Sequence, residues 1–228
     1  MDPWRILKND RYTAATSDVS PAPPRRARAT HNEQILMWSV YAEEKGFYFN
    51  GYVLVNGGRL VIIDPPSATP EVFDSLSALG TPDVVIITNR EHERESDAFR
   101  QHFGLDVAAH QLDAPLLQVR PEQTFKDNDT LAGGLLVVHV PDQKSPGESV
   151  LYRPDWSLLI VGDALIGNPP GELSLLPAEK YADRRQAVQS LKRLADINLG
   201  LEVILTGDGE PIIGDAQTRL ERFLIENS

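Results

Sequence analysis

Residues 52–64 read YVLVNGGRLVIID, two apolar runs separated by the turn sequence Asn56-Gly57-Gly58. Asn-Gly between two β-prone runs is typical of a tight hairpin, because both residues tolerate the positive φ angles of that turn. The preceding segments 35–41 and 47–49 are also β-prone. We therefore expect locally paired, antiparallel strands in this part of the chain.

Downstream of residue 64 the sequence alternates between helix and strand patterns. Thr69-Pro70 precedes a helical apolar pattern that Gly80 ends, and a second helix is predicted over 96–103 before Gly104. Short apolar runs at 83–87 and 106–109 are typical of buried strands. This alternation predicts an α/β arrangement.

The second half repeats the order of elements seen in the first. Leu191 belongs to one amphipathic helical pattern, and Asp215 precedes another. Two similar halves predict two packed sheets with helices outside, a four-layer αββα sandwich. Pro and Arg enrichment before residue 31 predicts an extended or mobile leader over 1–33, followed by a single domain over 34–228. The predicted strands of the second half lie at 135–140, 149–152, 157–161 and 201–206.

The composition disfavours several kinds of partner and of site. The 228 residues carry 22 Lys and Arg against 33 Asp and Glu, a net charge of −11 that disfavours nucleic acid and anionic membrane as partners. The chain has no cysteine, which removes disulfides and thiolate ligands. It has neither a long apolar run nor a signal-peptide pattern at its start. We expect a cytoplasmic protein whose partner is a small-molecule ligand or substrate.

Polar clusters follow four predicted strands, at 88–95, 141–148, 162–164 and 207–210. Open α/β sheets place their ligand sites at the carboxyl ends of strands. Each cluster alone is typical of an ordinary turn or helix cap. Four clusters in the same position relative to a strand indicate a shared site.

From about Asn50 onward the sequence resembles the metallo-β-lactamase superfamily. The order of landmarks is similar: an Asn-x-Tyr strand with a hairpin into Ile-Asp, then Ile-Thr and a loop, a Pro loop, Gly-Asp-Ala and a late Gly-x-Gly. The resemblance covers roughly three quarters of the chain. It implies an αββα sandwich with a cleft at the sheet edges that typically binds two zinc ions.

The metal-binding motif differs from the family pattern. The family's first loop reads T-H-x-H-x-D-H, whereas residues 88–94 read TNREHER. The resemblance implies that, of the family's metal-ligand positions, only position 163 still holds the family's own residue, Asp163. The other ligand positions hold Asn89, Glu91, Glu93 and Arg94 in the first loop, Gln143 in place of the histidine of Pro-Gly-His, and Asp208 in place of the late histidine.

Three interpretations of this site remain open. In the first, Arg94 and Lys144 neutralise Asp163 and Asp208, and no cofactor binds. In the second, one hard divalent ion (Mg²⁺, Mn²⁺ or Ca²⁺) binds among oxygen ligands, with or without His92. In the third, Zn²⁺ binds His92 with the two aspartates. The candidate metal ligands are Asn89, Glu91, Gln143, Asp163 and Asp208.

Two functions follow from these interpretations. The first is a non-zinc, small-molecule-binding or weakly active member of the fold, with Lys144 and Arg94 binding substrate. The second is a metal-dependent hydrolase of an ester, thioester, lactone or phosphoester in which Asp163 and Asp208 hold the metal and Glu91 or His92 activates water. A solvent-facing His92 is the alternative to either role. Of the other histidines, His139 is expected in the core, and no role is expected for His31, His102 and His110.

Overall fold

The computed structural model describes residues 4–6, 34–196 and 200–227. In this part of the chain no helix is long and apolar enough to cross a membrane. The predicted leader 1–33 lies outside the described residues, apart from the strand Trp4–Ile6, which runs parallel to the strand Gln34–Ala42.

The described strands form two sheets. The first sheet has seven strands in chain order: β1 Trp4–Ile6, β2 Gln34–Ala42, β3 Phe47–Asn56, β4 Arg59–Ile63, β5 Thr81–Ile87, β6 Asp106–His110 and β7 Gln123–Phe125. The second has six strands: β8 Thr130–Leu131, β9 Leu135–His139, β10 Ser149–Arg153, β11 Leu158–Ile160, β12 Val203–Leu205 and β13 Ile212–Ile213, in the spatial order β13-β12-β11-β10-β9-β8.

The predicted hairpin is confirmed. β3 and β4 are antiparallel, with Asn56 paired to Arg59 across the turn, and β2 pairs with β3 in the same sense. The sheet then becomes parallel, because a helix connects β4 to β5 and another connects β5 to β6. Since β4, β5 and β6 run in one direction, their carboxyl ends lie at one edge of the sheet.

Four α-helices are described: α1 Pro70–Leu79, α2 Ser96–Phe103, α3 Arg184–Leu191 and α4 Ala216–Glu226. α2 has the predicted bounds, and it ends at Gly104, whose φ of 66° is the left-handed conformation that favours glycine. Asp183 begins α3 by accepting hydrogen bonds from the backbone N–H groups of Arg185 and Gln186.

The packing has four layers, as predicted. Apolar side chains of both sheets, such as Ile63 and Leu205, form one buried cluster between them. The outer face of the first sheet packs on α1 and α2, where Phe99 stacks on Trp38 with ring centroids 5.6 Å apart. The outer face of the second sheet packs on α3 and α4, with Phe223 as one of the buried side chains. The result is an αββα sandwich.

Candidate functional site

The loops after strands of both sheets bring five polar residues together. Asp64 follows β4, Thr88 and His92 follow β5, Asp163 follows β11 and Asp208 follows β12. All five side chains are buried. Four of the five belong to the strand-end clusters of the sequence, Asp64 does not, and loops of both sheets contribute.

His92 lies between carboxylates. Its Nδ1 is 2.8 Å from Asp64 Oδ2, and its Nε2 is 3.1 Å from Asp163 Oδ1 and 4.0 Å from Asp208 Oδ1. Burial and the nearby Arg94 disfavour the charged ring, but Asp163 and Asp64 outweigh them and raise the pKa of His92 to about 10. The two carboxylates therefore favour the imidazolium form, which can donate from both nitrogens.

Two further cations contact the aspartates. Arg94 Nη2 donates to Asp208 Oδ1 at 2.9 Å, and Lys144 Nζ donates to Asp163 Oδ2 at 3.1 Å. The Arg94 side chain is only 12% exposed. Its Nη1 also donates to the carbonyl oxygens of Asn50 and Asp64, at 2.9 and 3.3 Å. The guanidinium is therefore held by several elements at the bottom of the cleft.

The electrostatics of the two aspartates differ. Burial opposes ionisation of Asp163, but His92, Lys144 and Arg94 together hold the pKa of its carboxyl well below its usual range. Burial and the charge on Asp163 raise the pKa of Asp208, although His92 and Arg94 oppose that increase. The first aspartate is thus a firmly ionised anion at the centre of the site.

Glu148 lies directly beneath this group and is fully buried. Its Oε1 accepts hydrogen bonds from the backbone N–H groups of Asp163 and Ala164, at 2.9 and 3.2 Å, and from Asn89 Nδ2 at 3.2 Å. Its Oε2 has no hydrogen-bond partner among the described residues. Burial and the charge on Asp163 raise the pKa of Glu148 well above its ordinary value. Glu148 therefore supports the Asp163 loop through the hydrogen bonds that its Oε1 accepts.

The loop that carries Asp208 is docked against β3. Asn50 N–H donates to the Gly207 carbonyl at 2.8 Å, and the Tyr52 hydroxyl donates to the Thr206 carbonyl at 2.7 Å. A Cβ atom at Gly207 would collide with the imidazole of His92. Glycine is required at this position because backbone and ring approach so closely.

Asp113 ties together loops from the two sheets. It accepts hydrogen bonds from the backbone N–H of Arg90 at 3.0 Å, from Ser145 Oγ at 2.6 Å and from the backbone N–H of Gly147 at 2.8 Å. Arg90 follows a strand of the first sheet, whereas Ser145 and Gly147 follow β9 of the second. The loops that carry His92 and Lys144 are thereby fixed relative to each other.

The donor atoms of His92, Asp163 and Asp208 lie within 4.8 Å of one another, so these three residues form a group that could hold a metal ion. The same atoms also form the ion pairs described above. The arrangement can therefore either bind a cation or hold its charges in balance with the protein's own cations.

The family follows from a comparison with known proteins. A family profile described as the metallo-beta-lactamase superfamily matches residues 27–226, which is most of the chain. The chain belongs to the metallo-β-lactamase superfamily. Among curated proteins, none has a matching sequence.

Solved structures of metallo-β-lactamases share the fold. A metallo-β-lactamase from Pontibacter korlensis is 17% identical with a TM-score of 0.69, covering 89% of this chain and 99% of that one. One from Erythrobacter litoralis, with β-mercaptoethanol in its active site, is 16% identical with a TM-score of 0.68, and the match covers 85% of this chain and 92% of that one. A metallo-β-lactamase family protein from Thermus thermophilus is 19% identical with a TM-score of 0.61, and the match covers 84% of this chain and 78% of that one.

Five of the predicted site residues meet in this metallo-β-lactamase fold: His92, Arg94, Lys144, Asp163 and Asp208. The solvent-facing alternative for His92 is wrong, since the residue is 1% exposed. Lys144 pairs with Asp163, and Arg94 pairs with Asp208 through one nitrogen.

The other candidate ligands are directed to different partners. Asn89 Oδ1 accepts from the backbone N–H of Glu91, and its Nδ2 donates to Glu148. Glu91 is 37% exposed and pairs with Arg90, outside the group formed by His92 and the aspartates. Gln143 Nε2 donates to the Ala187 carbonyl and to Ser190 Oγ, both at 2.9 Å.

Sequence reasoning assigned no role to Asp64 and Glu148. Asp64 ends the Ile-Asp landmark after β4, and Glu148 directly precedes β10, so strand-end position was the available signal for both. His139 is half-buried at the end of β9, where its ring stacks on buried His110 with centroids 4.5 Å apart. The prediction of a core His139 is therefore wrong, and His110, for which no role was expected, packs beside it. His31 lies outside the described residues.

Proposed function

We propose that this protein is a metal-independent member of the metallo-β-lactamase superfamily that binds a small molecule at the cleft and has at most weak hydrolase activity. One observation carries the proposal. Three carboxylates around His92 are already paired with cations of the protein: Asp64 and Asp163 with His92, Asp163 also with Lys144, and Asp208 with Arg94.

The balance of charge supports it. The cluster holds three cations (His92, Arg94 and Lys144) and three carboxylates, those of Asp64, Asp163 and Asp208. Burial and the charge on Asp163 raise the pKa of Glu148, which disfavours a fourth negative charge beside them. A buried group of charges is stable when each charge is paired and hydrogen-bonded. A divalent ion would add two positive charges to a cluster that is balanced without it.

The residues present do not fit the zinc centre that is usual in the superfamily. Catalytic zinc sites use three protein ligands, mainly imidazole nitrogens, and a histidine must be neutral to bind. Here one imidazole is available, and the carboxylates on either side of it favour the protonated ring. Arg94 and Lys144 also donate to carboxylate oxygens of Asp208 and Asp163. We infer that these two side chains take over the metal's electrostatic role.

A cavity supports the small-molecule part of the proposal. A groove of about 700 Å³ adjoins the cluster, and Arg94 lines it. This volume lies within the range of ligand pockets, roughly 300–1,000 Å³. Arg94, which donates to Asp208, is therefore shared by the cluster and this groove.

A second candidate is a metal-dependent hydrolase of an ester, thioester, lactone or phosphoester. The observation in its favour is the proximity of the donor atoms of His92, Asp163 and Asp208, within 4.8 Å. In that case these residues would hold one divalent ion, which would supply Lewis-acid chemistry. His92 would have to lose its proton and Arg94 would have to leave Asp208.

Metal analysis separates the two candidates. We expect protein purified without chelator to contain substoichiometric metal, and its melting temperature to be unchanged by EDTA, Zn²⁺, Mn²⁺, Mg²⁺ or Ca²⁺. Stoichiometric metal that is lost in Asp163→Ala and kept in Asp127→Ala would overturn the proposal in favour of the hydrolase. Asp127 is a suitable control because its ion pair with Arg193 lies at the surface.

A further inference from the structure

The groove beside the cluster is rich in arginine. Arg90, Arg94, Arg100 and Arg120 line it, together with three acidic side chains and the buried Val119. In a chain with a net charge of −11, four guanidinium groups around one cavity are a local exception. Their hydrogen bonds decide which of them are available to a ligand.

The acidic side chains of the groove are engaged by the protein itself. The carboxylate of Glu93 accepts hydrogen bonds from the backbone N–H groups of Gln118 and Val119. Asp97 accepts from Arg100 and from Gln101. Because these two carboxylates already have donors, neither of them pairs with Arg90 or Arg120 among the described residues.

Two arginines keep open donors. Among the described residues, Arg120 takes part in no hydrogen bond or ion pair, and its side chain is exposed. Arg90 uses only Nε, which donates to Glu91 at 2.9 Å, so both of its terminal nitrogens are free of partners in the described structure. That pair is exposed at both ends (38% and 37%), and such surface pairs contribute only about 0–1 kcal/mol. A ligand anion can therefore compete with Glu91.

We propose that Arg90 and Arg120 form an anion-binding subsite of this groove, which takes the phosphate or carboxylate group of the small molecule. A guanidinium presents two parallel N–H donors that match the two oxygens of either group. The uncharged remainder of the ligand would lie against Val119 and Arg94. This inference rests on the proposed function for the position of the ligand but does not depend on the metal content of the cluster.

The test is a titration of the full chain with inorganic phosphate and, separately, with succinate, in EDTA and at constant ionic strength. Binding is followed by the Nε–Hε NMR signals of the arginines. We expect the signals of Arg90 and Arg120 to shift with saturation. Arg90→Gln and Arg120→Gln should each weaken binding by about tenfold or more, because each removes charge-assisted hydrogen bonds. Arg120→Lys should recover only part of the affinity, since lysine lacks the planar fork.

Arg222→Gln is the matched control. Arg222 is an exposed arginine on α4, 53% accessible and paired loosely with Glu226, and its replacement should leave anion affinity unchanged. If only phosphate gives a saturable shift, the ligand's anionic group is a phosphate. If only succinate does, the anionic group is a carboxylate. No saturable shift with either anion would overturn the subsite, as would equal weakening by Arg222→Gln. Because EDTA is present throughout, failure here leaves the metal analysis of the cluster as a separate result.

Discussion

Replacing Arg94 by methionine tests whether this guanidinium is the internal counter-ion of the cluster. Methionine keeps an unbranched apolar stem, whereas the charge and the guanidinium contact with the Phe49 ring are lost. Asp208, whose side chain is 10% exposed, then loses its ion pair, and the carbonyl oxygens of Asn50 and Asp64 lose a donor. Removing one partner of a buried ion pair costs about 3–5 kcal/mol.

For a chain of this size each kcal/mol corresponds to about 2–4 °C, so the melting temperature of Arg94→Met should fall by about 6–20 °C. Urea unfolding gives the free energy directly. The loss should also depend on pH. Without Arg94 the pKa of Asp208, already raised by burial, rises further, so the carboxyl becomes neutral more readily. The destabilisation should therefore be larger at about pH 8 than at about pH 4.

The control is Arg193→Met, which breaks a surface pair between Arg193 and Asp127 whose side chains are 42% and 30% exposed. It should cost no more than about 1 kcal/mol. If Arg94→Met is no more destabilising than Arg193→Met, Arg94 does not neutralise the cluster and the argument for an internal cation fails.

Three further predictions concern other residues. Asp163→Asn should lower the pKa of His92 from about 10, because it removes the strongest stabilising charge on the imidazolium; NMR titration of the ring measures this. Phe99→Ala should cost about 3–5 kcal/mol in urea unfolding, since the ring is fully buried. Burial lowers the pKa of His110 to about 4, so as the pH falls this histidine is protonated in the unfolded chain before it is protonated in the folded one. The free energy of unfolding should therefore decrease between about pH 6.5 and about pH 4, and it should decrease less steeply in His110→Gln.

An unchanged His92 titration in Asp163→Asn would contradict the assigned ion pair. Ile225→Ala, at a residue that is 76% exposed, should change stability by no more than about 0.5 kcal/mol, and a loss equal to that of Phe99→Ala would contradict the core assignment. His102→Gln replaces an exposed histidine, so the free energy of unfolding should depend on pH as in the wild type. If it also does so in His110→Gln, His110 is not the source of that pH dependence.

The sequence allowed the fold to be predicted because its signals are local. The Asn56-Gly57-Gly58 turn required a hairpin, and Gly104 required the end of α2. The position of the site was also predictable, since strands of a parallel sheet end at one edge. Each of these conclusions needs only a few neighbouring residues.

Side-chain direction within the loops was less predictable, because it depends on tertiary contacts. Residues 90–92 form a 3-10 turn and Arg94 has a φ of 37°, so the spacing of the family motif does not say which residues point inward. His92 faces the aspartates, whereas Glu91 faces the groove. In the same way Lys144 donates to Asp163, whereas the side chain of its neighbour Gln143 donates to a backbone carbonyl of α3.

The hydrogen bonds of Asp113 have a consequence for how ligands are received. This carboxylate joins a loop of the first sheet to a loop of the second through three donors, at Arg90, Ser145 and Gly147. Because Asp113 holds both loops, we expect the cleft to change little in shape when the proposed ligand binds. Affinity should therefore be limited by desolvation of charges more than by the ordering of loops.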